Sequence, residues 1–125
     1  MKLLLDTHVF VWWILEPMRV SKPVETAIRA RDSRVFVSVA SVWEIGIKRA
    51  KGKLELPRDL RSQLVRESFE SLDVTLNHAL ATIDLPGHHL DPFDRMIVAQ
   101  ARLEKMTLAT HDRRLADYSL DIIWT

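Results

Sequence analysis

The sequence predicts an α/β protein with a parallel sheet and helices on both faces. Short apolar runs typical of buried parallel strands alternate along the chain with segments of helical periodicity. Three glycines and five prolines are also too few for a turn-rich all-β fold. The 125 residues, 47% of them apolar, are enough for one domain with a hydrophobic core, and we expect residues 1–125 to form it.

Each element is predicted from its own pattern of apolar residues, caps and stop signals. The predicted strands are residues 3–5, 35–37, 72–76, 107–109 and 122–124, which gives a sheet of four to five strands. The predicted helices are residues 8–15, a helix from a Ser21 cap to about Arg31, one from Ser38 or Ser41 to Ala50, one beginning at Pro57, a small helix capped by Asn77, one opened by Asp91 and Pro92, and a turn over 112–116.

Four acidic residues follow strands or begin the helices after them. Asp6 directly follows the first strand, and Asp112 follows the strand over 107–109. Glu44 lies one or two turns into the helix after the second strand, and Asp94 lies in the first turn of the helix that begins at Asp91. Ligands of parallel sheets bind at the carboxyl ends of the strands, so these acids are predicted to share one pocket.

A cluster of carboxylates needs a cation, because like charges repel and burial disfavours their charged forms. Hard divalent ions with oxygen ligands, Mg²⁺ or Mn²⁺, meet that need. Such ions activate water and stabilise leaving oxygens in phosphoryl displacement, so the predicted reaction is phosphodiester hydrolysis.

Each of the four acids also has a purely structural interpretation. Asp6 is a suitable helix cap, and Glu44 is spaced to pair with Lys48 on one helix face. Asp94 suits the dipole at a helix N-terminus, and Asp112 is a plausible turn residue. The catalytic interpretation therefore depends on all four acids at corresponding places in one α/β pattern.

Several other function classes are disfavoured by the sequence. The chain has no cysteine, which excludes disulfides, thiol catalysis and cysteine-bound zinc. A nucleophilic Asp6 of the haloacid-dehalogenase type needs a second Asp at position 8, which is His8, and no glycine-rich phosphate loop is present. The histidines lack the spacing of a zinc protease; they are His8, His78, His88, His89 and His111.

Basic and aromatic residues supply weaker indications. The net charge of +1 does not by itself indicate nucleic-acid binding, but seven basic and two acidic residues lie between Lys48 and Arg66. That excess either attracts an RNA backbone or forms a solvated helix face. Arg95 and Arg113 each adjoin a predicted site acid and either hold a phosphate or neutralise that acid. Core packing is the default expectation for the four tryptophans, but an exposed tryptophan near the helix over 39–51 would suit a partner-binding groove.

Four segments resemble the PIN-domain nucleases, in particular the VapC-like toxins of type II toxin–antitoxin systems. These segments are MKLLLDTHVFVWW, SVASVWEIGIKRAKGKL, HHLDPFDRMIVAQA and LATHD, and they occur in the family's order between residues 1 and 112, so the likeness extends over nearly the whole chain. Asp6, Glu44 and Asp94 match the three core acids of the family, and Asp112 matches its more variable fourth acid. Asp91 belongs to the DPFDR motif of this subgroup, and we expect it to support the site rather than to bind the metal. Arg95, next to Asp94, and Thr110, in the Thr110-His111-Asp112 stretch, are also expected to support the site.

The resemblance implies a three-layer α/β/α sandwich and a Mg²⁺- or Mn²⁺-dependent endoribonuclease that acts as a toxin on RNA. It also implies a cognate antitoxin that obstructs the site, and homodimers. The sequence shows neither a secretory leader nor an apolar run of about 20 residues, so we expect a cytoplasmic protein that does not span a membrane. The alternative function is a non-catalytic PIN-like module that binds a protein partner.

Overall fold

The computed structural model of the chain describes residues 1–87 and 91–125. The strands are β1 (Lys2–Leu5), β2 (Arg34–Ser38), β3 (Glu70–Leu72), β4 (Thr107–Thr110) and β5 (Ile122–Trp124). The helices are α1 (Thr7–Leu15), α2 (Lys22–Arg29), α3 (Val39–Ala50), α4 (Leu60–Glu67), α5 (Leu76–Ile83) and α6 (Pro92–Leu103), with 3₁₀ helices at Pro17–Arg19 and Arg113–Asp117. No helix in the described ranges has the length and apolar character needed to cross a lipid bilayer.

The five strands form one parallel sheet in the order β3-β2-β1-β4-β5. β1 is central: its Leu3 pairs with Val35 of β2 on one side and with Thr107 of β4 on the other. The chain therefore proceeds from β1 toward one edge through β2 and β3, and later toward the other edge through β4 and β5. This reversal places a crevice at the carboxyl ends of β1 and β4, where parallel sheets bind ligands.

Helices cover both faces of the sheet because the strand residues alternate between them. Leu3 and Leu5 belong to one core cluster, with Phe10 of α1 and Val24 of α2. Leu4 belongs to a second cluster, formed with residues of α6 and the 3₁₀ helix Arg113–Asp117. The three leucines of β1 are fully buried, and burial of each contributes about 1.5–3 kcal/mol. The predicted three-layer α/β/α sandwich is confirmed, with five strands.

Several predicted helix boundaries are confirmed by the caps. The Ser21 hydroxyl accepts the Val24 N–H at the start of α2, and Asp91 accepts the Asp94 N–H at 2.8 Å at the start of α6. Of the two candidates for α3, Ser38 is the cap. Polar side chains thus satisfy N–H groups that have no partner within the helix.

Other boundaries differ from the prediction. α4 begins at Leu60 rather than at Pro57, because Asp59 caps it through a 2.8 Å bond from the Ser62 N–H. α5 begins at Leu76 because Thr75, not Asn77, forms a capping box with His78. The helix after Ser21 ends at Arg29, two residues earlier than expected.

The predicted strand over 72–76 is wrong, since β3 is Glu70–Leu72. Pairing with β2 sets this position: Phe36 lies opposite Glu70, and Ser38 lies opposite Leu72. Of the apolar residues within 72–76, Val74 is exposed and lies outside the sheet. Tertiary pairing thus decides a register that local apolar pattern leaves ambiguous.

Candidate active site

Asp6 lies at the carboxyl end of β1 and is held by two hydrogen bonds. Its Oδ1 accepts the Val9 N–H at 2.8 Å, and its Oδ2 accepts the Thr110 hydroxyl. Burial raises the pKa of this carboxyl, although both hydrogen bonds and two nearby histidines favour the charged form. Asp6 therefore does cap α1, but each carboxylate oxygen keeps a second lone pair for another ligand.

Asp94 lies in the first turn of α6, beside the other acids. Burial raises the pKa of its carboxyl to about 7, and the negative charges of Asp91, Glu44, Asp6 and Asp112 add to this shift in that order. Four acids from different parts of the chain are therefore close enough to repel a charge on Asp94. The sequence prediction that these residues meet is consistent with this electrostatic coupling.

Glu44 lies in the second turn of α3 and is nearly fully buried. Its Oε2 lies 3.4 Å from Nζ of Lys48, which matches the helix ion pair weighed from the sequence. Its Oε1 is also buried, yet has no hydrogen-bond partner among the described residues. A buried carboxylate oxygen without a partner is destabilising by more than about 1 kcal/mol, so this oxygen needs a ligand.

Asp112 follows β4 and caps the 3₁₀ helix Arg113–Asp117. The guanidinium of Arg114 contacts both of its carboxylate oxygens, and this contact lowers the pKa of Asp112. Thr110 links the two ends of the site, because its hydroxyl donates to Asp6 and accepts the Asp112 N–H at 3.1 Å. One buried threonine thus joins the segments that follow β1 and β4 at the point where the strand order reverses.

A cavity of about 280 Å³ opens between these elements. Three of the four predicted acids line it, whereas Glu44 contributes through its charge on Asp94 and on His8. Burial lowers the pKa of His8, so this ring adds little positive charge near neutral pH. The lining residues are Asp6, His8, Asp94, Ile97, His111, Asp112, Arg113, Arg114 and Leu115.

The family model of the PIN domain matches residues 3–120 of this chain. The chain belongs to the PIN domain family. It is also 32% identical over 118 residues to Ribonuclease VapC22 of Mycobacterium tuberculosis, and the match covers 92% of this chain and 90% of that protein.

Solved structures share the fold of this PIN domain at low sequence identity. VapBC2 from Rickettsia felis, bound to a DNA fragment from its promoter, is 20% identical with a TM-score of 0.76, over 99% of this chain and 98% of that chain. DNA-bound VapBC from Salmonella typhimurium is 20% identical with a TM-score of 0.70, over 99% and 98% of the two chains. VapBC-1 from nontypeable Haemophilus influenzae is 20% identical with a TM-score of 0.68, over 100% and 97%.

The donors of this PIN domain fit a hard divalent cation. The available groups are carboxylate oxygens, and the buried Oε1 of Glu44 has no other partner in the described part of the chain. Within residues 1–87 and 91–125, however, no three His, Asp or Glu side chains are arranged as a ready-made metal group. Three of the acids line one cavity and Glu44 lies outside its lining, so joint binding of a cation requires some of these side chains to move.

Two flanking residues of the PIN domain hold its backbone. Asp91 caps α6, as the capping interpretation expected. The guanidinium of Arg95 donates to the carbonyl oxygens of Gly87 and Thr82 at 2.6 Å and of Leu85 at 3.1 Å. The expectation that Arg95 binds a phosphate or neutralises Asp94 is thus corrected, because its donors are directed at main-chain carbonyls.

Sequence reasoning missed three features of the site. The buried hydroxyl of Thr7 donates to the Ser41 hydroxyl at 2.8 Å and joins α1 to α3 beside the acids. His8 and His111 lie edge to face, with ring centres 5.0 Å apart. Arg114 contacts Asp112 only two residues away, and we identify no sequence signal for this pair. His88 and His89, weighed as zinc ligands, lie outside the described residues.

Trp43 is exposed, as a partner-binding groove would require. Its side chain is 66% exposed and contacts Phe93 edge to face at 5.2 Å between ring centres. The two rings belong to an apolar groove of about 500 Å³, named here the Trp43 groove. It is lined by Val39, Ala40, Trp43, Val74, Pro92, Phe93 and Met96. Trp43 and Phe93 adjoin Glu44 and Asp94 in sequence, so the groove borders the acidic site.

Proposed function

We propose that this chain is a single PIN domain and a divalent-metal-dependent endoribonuclease, the toxin of a toxin–antitoxin pair. The observation that carries the proposal is that Asp6, Asp94 and Asp112 line one cavity at the strand-order switch, where burial and then the charges of the neighbouring acids raise the pKa of Asp94 to about 7. The relationship to Ribonuclease VapC22 supports RNA as the substrate.

In this proposal the cation is Mg²⁺ or Mn²⁺, held by Asp6, Glu44, Asp94 and Asp112. When bound, such an ion lowers the pKa of water and neutralises charge on a phosphate. Asp6 is kept in place by Thr110 and the Val9 N–H, so its carboxylate needs little reorganisation. The free Oε1 of Glu44 accepts a ligand without breaking an existing hydrogen bond.

Basic residues of α3, α4 and the segment between them support binding of an RNA backbone. Lys48 lies beside Glu44 at the end of α3. The other basic side chains counted between Lys48 and Arg66 are all exposed on α3, α4 and the segment between them. Contacts between such side chains and phosphates give affinity that falls with added salt.

Removal of divalent metal tests the proposal directly. We expect a chelator to abolish RNA cleavage by the purified protein and added Mg²⁺ or Mn²⁺ to restore it. The cleavage sites are read by sequencing RNA ends after induced expression. Asp94→Ala should show no new RNA ends, whereas Asp32→Ala, which removes an exposed acid before β2, should match the unmodified protein. Cleavage that survives exhaustive chelation would favour the non-catalytic, partner-binding alternative and a contaminating nuclease.

The Trp43 groove is our proposed contact for the antitoxin. Solved structures with this fold include toxin–antitoxin complexes, and the groove borders the acidic site that such a partner would obstruct. An aromatic side chain in an apolar groove is a typical anchor for a partner helix or strand. The exposed residues Leu76, Leu80 and Ile83 of α5 give a second apolar face, which we assign to homodimer formation.

Trp43→Ala is expected to weaken antitoxin binding at least about tenfold, because a buried aromatic anchor contributes about 2 kcal/mol or more. The partner to use is the protein encoded by the short reading frame next to this gene, and the measurement is its dissociation constant by calorimetry. Val65→Ala removes an equally exposed apolar side chain from α4 and serves as the control. Equal affinities for the two variants would place the contact elsewhere.

A further inference from the structure

Arg114 connects two of the acids that line the cavity. Its Nε lies 2.9 Å from Oδ1 of Asp112, and its Nη2 lies 2.6 Å from Oδ2 of the same residue. The backbone N–H of Arg114 also donates to Oδ1 at 3.0 Å. The same Nη2 lies 3.9 Å from Oδ2 of Asp94. One guanidinium therefore takes a position that a cation shared by these two carboxylates would also take.

Asp112 and Glu44 differ in what their carboxylate oxygens contact. Both oxygens of Asp112 accept charge-assisted hydrogen bonds from Arg114, whereas Oε1 of Glu44 has no partner among the described residues. Oδ1 of Asp112 accepts the Arg114 N–H and Nε, and Oδ2 accepts Nε and Nη2, so neither oxygen keeps a lone pair for a metal ion until the guanidinium withdraws.

We propose that Arg114 is an internal cation that the divalent ion must replace at Asp112 and Asp94, and that the released guanidinium then positions the RNA phosphate. This inference rests on the proposed metal-dependent ribonuclease function. It makes Arg114 a positioning residue with two alternative anionic partners, a carboxylate before metal binding and a phosphate after it.

The chemistry of the side chain suits both partners. A guanidinium stays charged at physiological pH, and its planar donors match carboxylate and phosphate oxygens alike. The Arg114 side chain is 54% exposed and lines the cavity, so no packed core must be disrupted when it moves. When a divalent ion neutralises the acids, their attraction for the guanidinium falls, and an incoming phosphate becomes the stronger nearby anion.

Metal affinity without RNA tests the first half of the inference. Titration with Mn²⁺ alone, followed by calorimetry, should show about three- to fivefold tighter binding for Arg114→Ala, the range expected on removal of a partly exposed ion pair. Arg113→Ala is the control, because it removes the same charge from the same cavity wall. The Arg113 guanidinium lies over the Trp124 ring, 4.3 Å from its centre, so we expect the Arg113→Ala variant to bind Mn²⁺ about as tightly as the unmodified protein. Arg114→Ala keeps the backbone N–H that bonds Asp112, so the 3₁₀ helix retains its cap.

Cleavage kinetics at saturating Mn²⁺ test the second half. With a short RNA, Arg114→Ala should raise KM about three- to tenfold with kcat nearly unchanged, as expected on loss of one phosphate contact, and Arg114→Lys should recover part of the loss. Equal Mn²⁺ affinities for the unmodified protein and Arg114→Ala, or equal tightening by Arg113→Ala, would overturn the competition. An unchanged KM would overturn the phosphate contact. Failure of all these proteins to bind Mn²⁺ would instead overturn the proposed function, and this inference with it.

Discussion

Asp6→Asn is expected to reduce RNA cleavage by about 10²–10³-fold, the usual range when one group that stabilises transition-state charge is removed. The substitution removes one negative charge from the centre of the acid cluster and should also weaken Mn²⁺ binding. It leaves the fold intact, because asparagine is as good a helix cap as aspartate and its Oδ1 can still accept the Val9 N–H. Mn²⁺ affinity by calorimetry and cleavage of a labelled RNA give the two measurements.

Two further variants show whether the loss comes from charge or from position. Thr110→Val removes the hydroxyl that donates to Asp6 but leaves the carboxylate, so we expect a smaller loss of metal affinity, about tenfold. Asp32→Asn removes an exposed carboxylate and should change neither quantity. If Asp6→Asn cleaves RNA at the unmodified rate, the mechanism proposed for this site is wrong.

The second large effect is expected in the metal-free protein, where Asp94→Asn should increase stability at neutral pH. The pKa of Asp94 is about 7 in the folded protein and 3.8 as the ordinary value, so between these values the folded state binds more protons than the unfolded state. The resulting stabilisation is complete below pH 3.8 and is lost as the pH rises through about 7. Above that pH a charged Asp94 repels its neighbours, and asparagine does not.

We compare the free energy of unfolding of Asp94→Asn with that of the unmodified protein at pH 8 and at pH 5. The difference should favour the variant by about 1 kcal/mol more at pH 8 than at pH 5; the effect is this small because partial exposure screens the repulsion. Urea unfolding at several pH values in the presence of a chelator gives this difference. Comparison with the unmodified protein isolates Asp94 from His8, whose lowered pKa acts in the opposite direction below pH 6.5. Saturating Mn²⁺ should reverse the order of stability, because only the unmodified protein binds the ion fully. An identical pH dependence in both metal-free proteins would contradict the coupling among the acids.

The sequence predicts best those elements whose signals are local. The run Leu3–Leu5 is a buried strand that ends before Asp6, and Asp91-Pro92 marks the start of α6. Both predictions need only apolar continuity and capping chemistry, which operate within one turn. The family resemblance then links these local signals into a site that no single residue type would identify.

Long-range contacts determine what the sequence could not predict. Arg95 adjoins Asp94, yet its guanidinium is directed at carbonyl groups of another helix and the following segment. Glu44 forms the expected ion pair with Lys48 through one oxygen, while its other oxygen is buried and has no partner in the part of the chain that the structure describes. The contact of Arg114 with Asp112 depends on the turn after β4, a conformation that residue order alone does not specify.

The attachment of α5 to α6 has a consequence for how this enzyme can diversify. Arg95 and Gln100 of α6 both donate to main-chain oxygens, those of Thr82, Leu85, Gly87 and Asp73. Every amino acid carries such a carbonyl, so substitutions at most of these positions preserve the acceptors. The outer face of α5 can therefore acquire new recognition properties while the helix that bears Asp94 keeps its alignment with the acid-lined crevice.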